Sequence, residues 1–474
     1  MAIDSKLMYG TYSYSVSPAS GDIGTVAFDD SASSLTVHKG VRTTYSSTDS
    51  TPIGPDPKPL FFKNGAGLNR AAVASLVWSG TTATCTWLFY AADADNTSPN
   101  TWGDPVAGPV TLTVGTKTVT NPYCIRTREV SSGVVDIYGI DYDGKFVFRV
   151  RSSGTNGDTY TVQSGAYVFP DLTDDNESYG VDLEITGEYV YALFINGKNL
   201  SAGAPTAAYL DSTVVKLDFA LSTTPVAYIG PYTSLIGSGW PAPNAFSIQA
   251  YGSDLILTAA GGPQHGGTTG GQWNTASRIQ KVNQSTLAVT DLLKAAQSAG
   301  DPASDKYDFR ALSFSSDGST AYILIGTFNS SWVMDWHLYT TSMTTLTGAG
   351  NVLLSSLVTA GKASPVADTA SEDGYYWALW FSNGTGKTWM AQGNDLAVYD
   401  TGGSIVNAGG ITALSTFTSG QYPGLNFATI YEGETATVTT LKGYVAPAFA
   451  SNSAQALFER ERFIKEVAAA KAKS

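Results

Sequence analysis

Apolar and polar positions alternate with a period of two in short runs along most of the chain, and the runs are broken by Gly or Asp-Gly. That alternation marks half-buried strands, and a Gly or Asp-Gly between two such runs marks a hairpin. The clearest instance is Leu312-Ser-Phe-Ser-Ser-Asp-Gly-Ser-Thr-Ala-Tyr-Ile-Leu-Ile-Gly326, which turns at Asp317-Gly318. The same plan recurs from Ile140 to Val150 with a turn at Gly144, from Leu183 to Leu193 at Gly187, and from Ile248 to Thr258 near Gly252. Weaker copies run from Val77 to Trp87 at Gly80, before Tyr375 to Trp380 at Gly374, and from Ile430 to Val438 at Gly433.

These seven turn glycines lie 43 to 66 residues apart. A four-stranded propeller blade needs about 40 to 45 residues before its loops are added. The pattern therefore predicts an all-β chain folded as a single β-propeller of seven blades, six or eight being the alternatives, each of four antiparallel strands. Ser277-Arg-Ile-Gln-Lys-Val-Asn-Gln-Ser-Thr-Leu-Ala-Val-Thr290 reads as the outer hairpin of one blade. The early hairpin from Ile23 to Val37 has no partner near it in sequence, and it is expected to share a blade with the Gly433 hairpin. Such a closure removes exposed sheet edges. A pair of β-sandwiches would instead show turns every 8 to 12 residues and a linker. Only Thr51-Pro-Ile-Gly-Pro-Asp-Pro-Lys-Pro59 resembles a linker, and it reads as a stiff insertion in a domain spanning residues 1–450.

Residues 451–474 break the β pattern. Strong helix formers follow Ser453, and Ala454, Leu457, Ile464, Val467 and Ala468 recur at helical spacing with Phe458 and Phe463 on the flanks. An amphipathic terminal helix needs a surface for its apolar face. Leu457, Phe458, Ile464 and Val467 are accordingly the residues expected to hold a partner subunit or the chain's own body. The tail carries five basic and three acidic residues, whereas the whole chain has a formal charge of −13.

That acidic excess disfavours binding to a phosphate backbone, and no apolar run approaches the roughly 20 residues of a membrane helix. Charged residues make up 14% of the chain and aromatic residues 12%, a balance suited to a rigid, turn-rich fold. The start of the sequence lacks the apolar core of a signal peptide. A virion or extracellular surface is favoured over the cytoplasm as its location. Cys85 and Cys124 are either two free thiols or one bridge. Six Asn-x-Ser/Thr sequences, starting at Asn96, Asn176, Asn199, Asn283, Asn329 and Asn383, mark surface loops.

Ser382-Asn-Gly-Thr-Gly-Lys-Thr-Trp389 resembles the Asp-box of sialidase-type propellers, Ser-x-Asp-x-Gly-x-Thr-Trp, with Gly384 where the Asp stands. Asn100-Thr-Trp-Gly-Asp-Pro105 echoes the end of the same box. The resemblance implies a structural turn between outer strands of a blade. It also implies what a sialidase-type enzyme would use: three arginines on a substrate carboxylate, a Tyr nucleophile and an acid. Arg70, Arg126, Arg128, Arg149, Arg151, Arg278 and Arg310 supply the raw material. The family's Arg-Ile-Pro near the N-terminus is absent, and Arg149 and Arg151, two apart on one strand, read as a solvent-facing pair. Gly386-Lys387-Thr388 is not a phosphate loop, because Phe381 stands where that loop requires Gly and no helix follows.

The three histidines, His38, His265 and His337, are isolated from one another. His265 lies in Gly261-Gly-Pro-Gln-His-Gly-Gly-Thr-Thr-Gly-Gly271, a glycine-rich loop of the kind in which binding residues collect. It heads a set of candidate binding residues with Gln264, Trp273, Trp332 and Trp336. Asp93 and Asp95 have the oxygen pattern of part of a calcium loop without its Gly and final Glu, so Ca²⁺ is the single weak cofactor candidate. The residues favour a non-enzymatic structural or recognition propeller, a component of a virion, filament or cell-surface assembly that contacts protein or glycan through its loops and terminal helix. The alternatives are a glycan- or lactone-processing propeller enzyme and a cytosolic interaction scaffold.

Overall fold

A computed structural model describes residues 5–10, 19–29, 34–45, 60–79, 82–91, 104–120, 122–142, 144–170, 177–198, 209–230, 241–242, 245–259, 262–266, 271–275, 277–294, 307–315, 317–328, 334–348, 352–353, 362–363, 377–382, 387–392, 395–399, 405–410 and 426–431. The architecture is all-β and of propeller type. Among these residues seven sheets each hold at least four strands in up-and-down order, and the one helix is the single turn and a half of Met343–Gly348.

The chain divides into two compact units. Met1–Gly144, Phe148–Gly165 and Pro365–Ser453 form one; Lys145–Val147, Ala166–Ser364 and Ala454–Ser474 form the other. In the first unit the strand Asn426–Tyr431 pairs antiparallel with Ser5–Gly10, which continues into Ala19–Asp29 and Ser34–Tyr45. Strands from near the two ends of the sequence thus share one sheet. The second sheet runs Leu60–Lys63, Asn69–Ser79, Thr82–Ala91 and Ala107–Thr111. The third begins Pro122–Ser131, Val134–Asp141, Phe146–Ser153 and Thr159–Val162. The seventh is Trp377–Ser382, Lys387–Gln392, Asp395–Tyr399 and Ile405–Gly410.

Three of the seven large sheets lie in the second unit. The fourth is Glu177–Thr186, Tyr189–Lys198, Tyr209–Asp218 and Ala227–Ile229. The fifth is Ala245–Tyr251, Asp254–Ala259, Arg278–Asn283 and Val289–Lys294, extended by the parallel strand Val352–Leu353. The sixth is Tyr307–Phe314, Thr320–Phe328, Met334–Ser342 and Lys362–Ala363.

The second and third sheets, and the fifth and sixth, pack face to face through apolar side chains. Trp87 and Phe89 of the second sheet meet Phe148 and Tyr160 of the third, and the Phe89 and Tyr160 rings stack at 3.6 Å. Ile256, Ile279 and Leu293 of the fifth sheet pack with Phe309, Leu312, Ile323 and Ile325 of the sixth, and Met343 and Leu346 of the short helix join the cluster. At about 25 cal/mol per Å² of apolar surface, such interfaces carry most of the stability.

The turns follow the glycine signals where they are described. Gly187, Gly252 and Gly318 each join a first strand to a second with positive φ, an arrangement that glycine adopts without steric cost. Asp317 locks the last of these turns: its carboxylate accepts hydrogen bonds from the Ser315 hydroxyl at 2.6 Å and the Ser319 amide at 2.9 Å. These bonds hold its pKa at about 2. The outer hairpin expected from Ser277 to Thr290 forms the third and fourth strands of the fifth sheet. The Pro-rich 51–59 segment, Asp93 and Asp95, Gly374, Gly433 and the whole 451–474 tail lie outside the described residues. Cys85 is buried in the second sheet and Cys124 is half-buried in the third, and no disulfide joins them.

Candidate functional site

In the second unit, polar bonds set the directions of the sheets. The Asp182 carboxylate, on the first strand of the fourth sheet, accepts the amide of Ile248 on the first strand of the fifth at 2.9 Å. Glu184, two residues on, accepts the amide of Ala250 at 3.4 Å. The Gln249 side-chain amide donates to the carbonyl of Leu312, on the first strand of the sixth sheet, at 3.0 Å. At the far ends of these strands the Tyr251 hydroxyl donates to the Gly318 carbonyl at 3.1 Å. The three first strands therefore run side by side in one direction, and their starting residues lie at one end of the unit.

Register identifies what gathers at that end. Glu177 opens the first strand of the fourth sheet and stands in a row with Gly197 and Leu210. Asp308, the second residue of the first strand of the sixth sheet, stands in a row with Gly326 and Trp336. The second strand of the fifth sheet ends at Ala259 at the same edge, and there the chain leaves the sheet as a two-stranded ribbon, Gly262–Gly266 paired with Gly271–Thr275. His265 faces Gln272 in register and Gln264 faces Trp273. The ribbon lies against the strand Tyr209–Asp218, whose Leu210 shares the row of Glu177.

The loop expected around His265 is thus a hairpin, and four of the five candidate binding positions, Gln264, His265, Trp273 and Trp336, belong to this end of the unit. Trp332 lies outside the described residues, within the connection that joins Thr320–Phe328 to Met334–Ser342. Glu177 and Asp308 escaped notice in the sequence. The signal that picks them out is a carboxylate at the start of a first strand, and it becomes visible only when strand order is known.

The arginines follow a different logic. Arg149 and Arg151 do not face solvent together as a free pair. Both bind the carboxylate of Asp136 on the adjacent strand, Arg151 through Nε and Nη2 at 2.7 and 2.9 Å and Arg149 through Nη1 at 3.3 Å. Asp136 is fully buried, and a carboxylate removed from water needs this compensation. Arg70 is likewise spent on an internal acid. Its Nε and Nη2 grip Asp158 of the third sheet, each at 2.7 Å. Asn64 and Tyr160 donate to the same carboxylate at 3.0 and 3.2 Å. Burial alone would push the Asp158 carboxyl up, but the bonds from Arg70 and Asn64 and the Arg70 charge bring it below its ordinary value. Arg278 pairs with Asp291 at 2.6 Å. Four of the expected arginine positions therefore serve the protein's own carboxylates across strands or sheets, and the three-arginine constellation implied by the sialidase resemblance is not assembled from Arg70, Arg149, Arg151 and Arg278.

The Asp-box resemblance is corrected as well. Ser382 ends the first strand of the seventh sheet and Trp389 lies on the second, facing Trp380. A box would instead join outer strands, and the turn itself, 383–386, lies outside the described residues. Among the described residues no group of three or more metal-ligating side chains gathers, and no helix is long and apolar enough to cross a membrane.

No protein-family model and no curated protein matches the chain. Solved structures do align with it. An α-L-arabinofuranosidase from Fusarium graminearum aligns at 10% identity over 69% of this chain and 90% of its own, with a TM-score of 0.36. An α-L-arabinanase from Penicillium chrysogenum aligns at 11% over 75% and 90%, with a TM-score of 0.34. A β-fructofuranosidase from Bombyx mori aligns at 9% over 94% and 91%, with a TM-score of 0.30. All three are glycoside hydrolases, which fits the glycan-processing alternative better than the expected non-enzymatic assembly component; the likeness itself is one of fold alone. At these identities and scores the likeness assigns no substrate to this chain.

Proposed function

We propose that the chain is a glycan-processing propeller enzyme whose site lies at the strand-start end of the unit containing residues 166–364. One observation carries this reading: the rows of Glu177 and Asp308 and the ribbon bearing Gln264, His265 and Trp273 belong to the same end of three adjacent sheets. Hydrolysis of a glycosidic bond needs two carboxyl groups, one to protonate the leaving oxygen and one to act as base or nucleophile. Glu177 and Asp308 are assigned to that pair. By residue type, Trp273 and Trp336 are assigned to stacking on a sugar ring, and Gln264 and His265 to hydrogen bonding with hydroxyl groups.

The test is release of reducing sugar from a panel of arabinose-, xylose- and fructose-containing oligosaccharides, sialosides and aryl glycosides, with lactones as a second arm. Glu177→Gln and Asp308→Asn are each expected to lower kcat by at least about 100-fold, as loss of a general acid or base does, while the folded state survives by circular dichroism. No turnover on any of these substrates, or full activity in both variants, overturns the assignment.

A further inference from the structure

The interface between the fifth and sixth sheets is largely apolar among the described residues, with one cluster of buried polar side chains. Ser247, Gln249 and Thr258 are buried there, at 0%, 3% and 1% exposure. Ser247 and Thr258 face each other across the first and second strands of the fifth sheet, and Gln249 lies two residues along from Ser247 on the same face. Ile256 and Ile279, which pair in register with Gln249 and Thr258, pack against the sixth sheet, so the three polar side chains point into that interface too.

Their hydrogen bonds are only partly satisfied. Gln249 Nε2 donates to Ser247 Oγ at 3.1 Å and to the Leu312 carbonyl at 3.0 Å. A backbone carbonyl only accepts, which fixes the orientation of the side-chain amide and leaves Gln249 Oε1 as an acceptor. That oxygen and the Thr258 hydroxyl are both buried with no protein partner. Isolated buried polar atoms are rare because each carries the full cost of lost hydration, and two beside a third polar group form the setting in which an ordered water is held.

We propose that Ser247, Gln249 and Thr258 bind a single buried water between the fifth and sixth sheets. The water donates to Gln249 Oε1 and exchanges a hydrogen bond with the Thr258 hydroxyl, with Ser247 Oγ completing its shell. It acts as a polar rivet in a largely apolar seam, just inside the edge from which the ribbon departs.

Thr258→Val keeps the shape of the side chain and removes the hydroxyl, so the sign of its effect decides the matter. A bound water makes the variant less stable, with the thermal midpoint lowered by about 2–4 °C, and Thr258→Ser holds the wild-type midpoint more closely. A hydroxyl without a water makes Thr258→Val more stable, which overturns the proposal. Should Thr258→Val fail to fold, a crystal structure of the wild-type protein decides: density for a water within hydrogen-bond distance of Gln249 Oε1 and Thr258 Oγ1 supports the site, and its absence refutes it.

Discussion

Replacing Asp158 by Asn tests the link between the second and third sheets. The side chains of Asp158 and Arg70 are 19% and 9% exposed, and the carboxylate takes two bonds from the guanidinium, one from Asn64 and one from Tyr160. Removing one partner of a buried ion pair costs about 3–5 kcal/mol, because the other charge is stranded. The residual exposure of Asp158 places the expected loss at the lower bound, about 3 kcal/mol. Urea unfolding at pH 7 measures it. Replacing both partners with apolar residues, Arg70→Met with Asp158→Leu, is expected to restore most of the loss, since no charge then remains in the interface. The pH dependence supplies a second check. A carboxyl whose native pKa lies below its unfolded value of about 3.9 contributes its stability in full above that pH and loses it as pH falls through the native value. The gap between wild type and Asp158→Asn should therefore be constant from pH 7 down to about 5 and close below about pH 4. A loss under about 0.5 kcal/mol, or a double variant as unstable as the sum of the singles, would falsify the account of Asp158 as a paired charge.

Three further outcomes follow from the same geometry. Gly157→Ala is expected to cost at least about 2 kcal/mol, because its φ is +68° and a Cβ there would meet the Asn64 side chain at 2.6 Å; Gly187→Ala, at +60° with open space around it, should cost only about 1 kcal/mol, and equal losses in urea would show that the contact is irrelevant. Asp182→Ala strips the acceptor from the amides of Leu183 and Ile248 and is expected to cost about 2–3 kcal/mol by chemical unfolding, with no measurable loss refuting the tether. Burial pushes the Tyr191 hydroxyl up to about 12, so its neutral form stabilises the fold fully below pH 10 and the benefit disappears between pH 10 and 12; the fall in thermal midpoint across that window should be shallower in Tyr191→Phe, and an unchanged slope would count against it.

The strands and their hairpins were legible because alternation and a turn glycine are local signals. What the glycines did not reveal is which turn of a sheet each one makes. Gly80 and Gly144 fall between the second and third strands of their sheets, whereas Gly187, Gly252 and Gly318 fall between the first and second. The short interval from Gly144 to Gly187 is the point at which the marked turn changes; Gly187 carries the positive φ of its turn, whereas in the earlier turn it falls on Lys145, next to Gly144. The ion pairs were hidden for another reason. Arg149 and Arg151 sit two apart on one strand, and the partner that draws both inward, Asp136, comes from the strand before. Arg70 and Asp158 are 88 residues apart. Neither pairing has a trace in local sequence, because both depend on cross-strand register or sheet order.

Asp182 and Glu184 show why an acidic strand in such a fold need not be a catalytic one. The first strand of the fifth sheet has a ladder neighbour on one edge only, so alternate amides of Ala245–Tyr251 point away from the ladder, and an unpaired edge is both costly to bury and prone to pair wrongly. Two carboxylates spaced two residues apart on the preceding first strand match two amides spaced two residues apart on the next, at Ile248 and Ala250. Both acids also accept the amide of the residue that follows them, Leu183 at 2.8 Å and Ile185 at 2.9 Å. Each carboxylate is thereby held by two backbone amides, one on its own strand and one on the next sheet, which suits a tether. The proposed pair, Glu177 and Asp308, stands instead in the rows at the strand starts, apart in register from this ladder.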